Sequence, residues 1–252
     1  MQPTIILKRS FNIGSIAVKF NAVTQWQCDS AIKEKADTVW QKKVGDYKAK
    51  GITVWDGDTY RLDNLAQVSS VKEEQILLAL SIIKYRYVST YPDFLDYYDA
   101  HPESNPHHVS IGAMLKTSDG FWVFGERGKS STSTTNIDLI GGGLNKSELE
   151  INNGADIYRQ LLNELHEEAG ILPSIISSCE GIGILHSSVS NVLIIAKVQL
   201  NVDSSKLKGI FIKRTEDEMQ DLVFIEDSKV KEYMKGMTSY RALIPDFLAH
   251  SI

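Results

Sequence analysis

Residues 4–23 alternate apolar and polar side chains in two pieces around Asn12, Ile13 and Gly14, a pattern that predicts a β-hairpin. Asp29 or Ser30 can cap a helix whose apolar positions are Ile32, Ala36, Val39, Trp40 and Val44, and Gly51 ends it. Asp56 and Gly57 predict a turn between the short runs 52–55 and 59–62. The apolar run 75–88 fits helix or strand, and periodicity does not choose between them. A second hairpin is predicted from residues 109–116 through Asp119-Gly120 to residues 121–125. A polar Ser/Thr stretch, 130–136, leads into a short strand at 137–140 that ends on Gly141, Gly142 and Gly143. A helix over 156–169 follows, then strands at 181–185, 191–200 and 222–225. Closing helices are predicted at 228–234 and 239–250, the second broken or kinked at Pro245.

The polar, proline-containing stretch 101–106 has linker character and divides the pattern in two. Residues 1–103 read as a small antiparallel sheet with helix, and residues 104–252 as a mixed sheet with helices in the order of an α/β/α sandwich. The expected class is therefore α+β. The first part could equally be a packing or dimerisation module with no site of its own.

Composition changes this picture little. The chain has 252 residues, 42% hydrophobic and 23% charged, as in ordinary globular proteins. A net charge of -5 argues against a general nucleic-acid binder, which would carry a basic face. Cys28 and Cys179 are the only cysteines, so no disulfide framework is implied and a reducing cytoplasm is expected. Lys8 and Arg9 interrupt the first apolar run, and no run approaches the roughly 18 residues that would span a membrane.

The chemistry concentrates on the helix 156–169. Glu164, Glu167 and Glu168 are three and four residues apart and project together, with Gln160 one turn earlier on the same side. Leu161, Leu162, Leu165 and Ala169 lie largely opposite and can enter a core. Like charges at this spacing cost a few tenths of a kcal/mol each, roughly, unless a cation neutralises them. Magnesium suits that role, since it favours carboxylates together with substrate phosphates. A solvated acidic face is the plainer reading of three glutamates on a helix. The strand ending in glycines before the helix, and Gly170 as a left-handed stop after it, favour a phosphate-handling unit. The adjacent His107 and His108 invite a metal reading too, but no third ligand stands at a suitable spacing, and a strand-entry role is expected.

The run Glu164-Leu165-His166-Glu167-Glu168-Ala169-Gly170-Ile171 resembles the core of the Nudix box. Two positions depart from it. Asn163 stands where the family has arginine, and the step from Gly142 to Asn163 is 21 positions where the family's box usually has fourteen. The extra residues fall in the polar segment 144–154. Ala155 occupies the place of the box's middle glutamate, so Glu148 or Glu150 could replace it only by a different loop path, and Arg159, one turn before Asn163, could partly substitute for the missing arginine. The resemblance implies a hydrolase that cleaves a diphosphate by water attack with Mg2+ or Mn2+. Glu164, Glu167 and Glu168 would hold the metal and supply the catalytic base, joined by Glu218 from a late loop, with Glu216 as its substitute.

Residues Trp55-Asp56-Gly57, Tyr60-Arg61-Leu62 and the segment 89–95 look like the accessory domain of the UDP-sugar-hydrolysing Nudix branch. That resemblance implies substrate contacts from Trp55, Tyr91, Arg127, Asp138 and Gly142, and a nucleotide sugar such as UDP-glucose or UDP-galactose as the substrate. An ADP-ribose or ADP-sugar pyrophosphatase is the alternative within enzymes. A Nudix-fold nucleotide-binding protein with weak or no turnover is the alternative outside them, motivated by Asn163 and the absent middle glutamate. Oligomeric state is left open.

Overall fold

A computed structural model describes residues 2–24, 26–70, 75–128, 137–187, 190–214, 218–235, 237 and 239–248. In chain order the strands are β1 (Thr4–Phe11), β2 (Ala17–Phe20), β3 (Asp58–Leu62), β4 (Leu77–Lys84), β5 (His108–Lys116), β6 (Phe121–Arg127), β7 (Ile137–Asp138), β8 (Ile140–Gly143), β9 (Ile176–His186), β10 (Asn191–Leu200) and β11 (Met219–Glu226). The helices are α1 (Ser30–Ala49), α2 (Leu65–Ser70), α3 (Tyr85–Ser89), α4 (Leu95–Ala100), α5 (Gly154–Ala169), α6 (Ser204–Phe211), α7 (Val230–Lys235) and α8 (Ile244–Leu248). The class is α+β, with one mixed sheet flanked by helices.

All eleven strands join in that sheet, in the order β1-β9-β10-β5-β3-β4-β2, with β6 and β8 also on β5 and with β7 and β11 on β6. The long central strands are buried on both faces, and their side chains divide by alternation. Val109, Ile111, Ala113 and Leu115 of β5, with Val192, Ile194, Ala196 and Val198 of β10, face one core together with α5 and α6. Met114, Leu193 and Ile195 face the other, which is closed by Val230 and Met234 of α7 and by Ile244, Phe247 and Leu248 of α8. The hairpin through Asp119-Gly120 forms as its sequence predicts, with Leu115 opposite Val123 and Lys116 opposite Trp122.

The pattern of residues 4–23 resolves differently. β1 and β2 do not pair with each other. β1 runs antiparallel to β9, and β2 runs parallel to β4. Between them Ile13–Ser15 make a 3-10 turn, with Gly14 N donating to Asn12 Oδ1 at 2.9 Å. That turn seats the start of α5: Gly154 N donates to Ile16 O at 2.9 Å, and a Cβ on Gly154 would stand 2.3 Å from Ile13 O. The two strands therefore diverge around the helix terminus instead of folding on each other. β3 pairs β4 antiparallel and also meets β5 through Arg61 and His108, so strands from the first hundred residues extend the same sheet.

Three further differences bear on the site. Residues 52–57 form no strand, so Asp56-Gly57 is not a hairpin turn; Asp56 instead accepts from Arg86 N at 2.9 Å and Nε at 2.8 Å. The undecided run 75–88 divides into strand β4 and helix α3. The strand entering the glycines splits at Leu139: β7 pairs with β6 and β8 pairs with β5. The Ser/Thr stretch 130–136 lies outside the described residues. The closing helix breaks where Pro245 requires, between a 3-10 turn at Ser239–Leu243 and α8. Among the described residues no helix is long and apolar enough to cross a membrane.

Candidate active site

Helix α5 is fixed at both ends by its own sequence. Asn153 Oδ1 accepts from Ala155 N at 2.8 Å, and Asp156 Oδ2 accepts from Asn153 N at 3.2 Å, a reciprocal cap that satisfies otherwise orphaned amides. Gly170 ends the helix at φ +70, a left-handed conformation that glycine adopts without strain. Ile157, Leu161, Leu165 and Ala169 are fully buried and anchor the inner face. The acidic face is turned toward the glycine turn of β8, and so it is not freely solvated.

Glu168 is only 4% exposed, and its Oε2 accepts from Gly141 N at 2.9 Å. Glu164 lies against Gly142 so closely that a Cβ on that residue would stand 2.2 Å from Glu164 Oε1. The first two glycines therefore act differently: Gly141 offers an N–H to one carboxylate, and Gly142 leaves room for another. Glu167 is exposed beside them. Burial, reinforced by Glu218 and Glu164, pushes the Glu168 carboxyl up to about 9, against the pull of Arg127 and the Gly141 N–H. Burial also pushes Glu164 up to about 7, with Glu148, Glu167 and Glu218 adding to it and a hydrogen bond from Gln160 opposing. Two carboxylates so placed are short of positive charge.

Among the described residues, Arg127 at the end of β6 is the cation that acts on Glu168. Burial works against its charge, but Asp138, Glu168 and Glu218 outweigh burial and hold the guanidinium firmly protonated. It donates to Asp138 Oδ2 at 3.3 Å and pairs with Glu218 through a short contact. Glu218 is thus brought to Arg127, while Glu216 lies outside the described residues. Asp138 is held more tightly than a substrate-contact role would imply. It also receives Arg241 Nη2 at 2.7 Å, a short hydrogen bond from the Tyr240 hydroxyl, and Leu139 N at 2.9 Å. Its carboxylate is occupied by the protein and acts on the site through Arg127.

The aromatic residues separate. Trp55 is 38% exposed and stands 5.6 Å from the Tyr85 ring; Tyr85 in turn is 6.2 Å from the ring of His108. His108 Nε2 would be 2.7 Å from a Cβ on Gly143, so this row of rings runs from Trp55 to the glycine turn. Tyr85 carries no signal of its own in the sequence, because it lies inside the apolar run 75–88. Tyr91, expected at the nucleotide, has no exposed surface. Its ring is stacked 4.7 Å from Tyr98 and its hydroxyl is 3.4 Å from Asn105 Nδ2, an interior position that a ligand does not reach. His107 turns away from His108 and faces His186, Nδ1 to Nε2, at 3.3 Å.

Arg159 does not take the place of the missing arginine. It is 60% exposed and pairs with Asp156 at 3.4 Å, one turn back toward the cap. Glu148, by contrast, reaches the acidic face through Gln160, whose Nε2 lies 3.0 Å from Glu148 Oε2 and 2.9 Å from Glu164 Oε1. The loop 144–153 folds back along the helix and so brings Glu148 to Gln160.

Among the described residues no three His, Cys, Asp or Glu side chains converge as a ready-made metal cage. Magnesium does not need one: it keeps several waters and takes one or two carboxylates together with substrate phosphates. An all-oxygen donor set, with Glu168 buried, Glu164 half-buried and both short of positive charge, fits such an ion.

No protein-family model matches the chain, and no curated protein does so significantly. Among solved structures it is similar to the Nudix domain of Shewanella oneidensis NrtR, in complex with ADP ribose, at 12% identity over 63% of this chain and 96% of that one, with a TM-score of 0.42. It is similar to DR0079 from Deinococcus radiodurans at 11% identity over 56% and 81% of the two chains, with a TM-score of 0.40. A bifunctional NMN adenylyltransferase/ADP ribose pyrophosphatase from Francisella tularensis matches at 12% identity over 74% of this chain and 51% of that one, with a TM-score of 0.40. Overlaps this partial transfer neither activity nor substrate, and the functional reading rests on the residues of the site.

Proposed function

We propose that the protein is a Nudix-type, divalent-metal-dependent pyrophosphohydrolase that cleaves a nucleoside diphosphate sugar, UDP-glucose or UDP-galactose, to UMP and sugar 1-phosphate. The observation that carries this reading is the placing of buried Glu168 and half-buried Glu164 on one helical face beneath Gly141 and Gly142. Such a pair is unfavourable alone and favourable with a cation and a diphosphate above it.

Glu164 and Glu168 would hold Mg2+ or Mn2+, with Glu167 and Glu218 at the rim. When bound, the ion neutralises charge on the phosphoryl oxygens and lowers the pKa of the attacking water. The Gly141 N–H keeps Glu168 in its orientation. Arg127, released from the exposed Glu218, binds a phosphate oxygen while Asp138 keeps its guanidinium in place. One of the three helix glutamates accepts the proton of the water. Trp55, partly exposed at the end of the row through Tyr85 and His108, offers a face on which a base can stack, a contact that contributes about 1–3 kcal/mol in nucleic-acid complexes.

Purified protein incubated with magnesium and a panel of UDP- and ADP-linked sugars, followed by ion-exchange chromatography, tests this. UMP and sugar 1-phosphate from UDP-sugars are expected, and Glu168→Gln should abolish most of their formation. Preference for ADP-ribose or an ADP-sugar would replace the substrate and keep the chemistry. Asn163 in the arginine position and Ala155 in place of the middle glutamate favour a second reading, a nucleotide-binding protein without turnover. That reading predicts binding of the nucleotide and no product.

A further inference from the structure

Gln160 is one turn before Glu164 on α5 and only 3% exposed. Its amide nitrogen carries two hydrogens, and both have carboxylate acceptors: Glu148 Oε2 at 3.0 Å and Glu164 Oε1 at 2.9 Å. The other oxygen of Glu148 accepts from Asn145 Nδ2 at 2.9 Å. An exposed glutamate on the loop is thereby held by amides from two separate segments, and a half-buried glutamate on the helix is tied to it through one nitrogen. Gln160 Oε1, on the far side of the amide, is buried and has no hydrogen-bond partner.

That orphaned oxygen fixes the sense of the amide. Turning it over would set Oε1 against two carboxylates, acceptor against acceptor, and would leave Glu148 and Glu164 without their donor. The side chain thus leaves one buried oxygen unpaired while orienting two acids. A neutral amide also differs from an arginine at the same task, because it aims the carboxylates without neutralising them.

From this geometry we infer that Gln160 is a positioning residue for cation binding, holding Glu164 and the loop carboxylate Glu148 in one arrangement facing the diphosphate site. The inference rests on the proposed reading of the acidic face as a cation site. Gln160 touches neither substrate nor ion. It acts through Glu164, and it extends the acidic face into the lengthened loop. Partners that orient a metal ligand typically change metal affinity 10- to 100-fold when removed.

The test is Mn2+ binding to the full-length protein without nucleotide, followed by the electron paramagnetic resonance signal of free Mn2+, together with thermal unfolding in metal-free buffer. Gln160→Met keeps the length of the side chain and removes both the donor and the orphaned oxygen. Its Mn2+ dissociation constant should rise about 10- to 100-fold, while its metal-free unfolding midpoint stays equal to or above that of the natural protein. A residue that merely fills space would give the opposite pattern. Glu148→Ala, on the exposed loop, should weaken binding in the same direction, and the double variant should lose less than the two single losses multiplied together. Wild-type Mn2+ affinity in folded Gln160→Met overturns the inference; if that variant does not fold, unchanged affinity in Glu148→Ala overturns it. Failure of the natural protein itself to bind Mn2+, with Glu168→Gln indistinguishable from it, overturns the cation-site reading beneath it and the inference with it.

Discussion

Asp138 and Arg241 are 103 residues apart in the chain, yet Arg241 Nη2 stands 2.7 Å from Asp138 Oδ2. Arg241 Nε also donates to Ile137 O at 2.6 Å, and Tyr240 binds the other oxygen of Asp138. The 3-10 turn at Ser239–Leu243 thereby clasps β7, the short strand that leads into the glycine turn. Arg127 donates to the same Oδ2 of Asp138, at 3.3 Å. The C-terminal segment therefore determines where the buried cation of the site can stand.

Arg241→Met should lower the unfolding free energy by about 2–4 kcal/mol, near the range for breaking a buried ion pair, since Asp138 keeps Arg127 as a partner. Arg241→Lys should lose less, because it keeps the charge and gives up the second donor to Ile137 O. Urea titration gives both numbers. A loss below about 0.5 kcal/mol for Arg241→Met would mean that the clasp contributes little.

Glu168→Gln should be inactive and more stable. The folded carboxyl is raised to about 9 from an ordinary value of 4.5, so the folded state holds its proton in a pH range where the unfolded chain has lost it. The stability associated with that proton is complete below pH 4.5 and declines as pH rises toward 9, by about 1.4 kcal/mol per pH unit. Glutamine keeps an oxygen for Gly141 N and has no charge to bury. In magnesium-free buffer at pH 7 the variant should gain about 2–3 kcal/mol by chemical denaturation, and the gain should grow with pH. Equal stability of the two proteins at pH 5 and pH 8 would contradict this account.

Where the determinants are local, the sequence displays them. The turn at Asp119-Gly120, the acidic face of α5 and the stop at Gly170 each depend on residues within a few positions of one another, and each forms as its pattern predicts. Pairing across the chain is different. Nothing within residues 4–23 reveals that β1 would join β9, and local alternation alone favours a hairpin there. Helix α6 has a weak signature between its two strands, because its eight residues carry only two buried apolar side chains, Leu207 and Phe211. At the site, the three helix glutamates were legible from spacing. Gln160, Glu148 and the clasp of Tyr240 and Arg241 owe their roles to how a loop and a terminal turn fold back, which spacing does not encode.

His186 makes the protein sensitive to acid. Burial pushes it down to about 4, and burial with His186 and Arg61 nearby pushes His107 down to about 3; His108, wholly buried, is lowered to about 4. Below the ordinary value of 6.5 the unfolded chain takes up protons that the folded state refuses, so stability falls as pH drops from about 6.5 toward 4. Each histidine contributes up to about 1.4 kcal/mol per pH unit in that window. His186→Gln, which can still face His107, should reduce the slope of unfolding free energy against pH by about one such increment. An unchanged slope would place His186 in water rather than in the core.

Gly141 and Gly142 are neighbours with opposite reasons for being glycine, and alanine should separate them. At Gly141 φ is +152, and a Cβ would stand 2.2 Å from Ile111 O and 2.7 Å from Gly112 Cα, both backbone atoms of the adjoining strand. Neither the conformation nor the neighbour can yield cheaply. Gly141→Ala should therefore destabilise the fold, by about 2 kcal/mol or more. At Gly142 the obstructing atoms are the carboxylate of Glu164, 2.2 Å to the nearer oxygen, and a flexible side chain can swing aside. Gly142→Ala should melt close to the natural protein. The displaced carboxylate would leave its hydrogen bond from Gln160 and its place beside Glu168, so Mn2+ binding and hydrolysis should both fall at least tenfold, as for other lost orienting contacts. Thermal unfolding of the two variants, set beside Mn2+ titration of Gly142→Ala, distinguishes a glycine required by the sheet from one required by the site; full Mn2+ affinity in Gly142→Ala would remove Glu164 from the cation site.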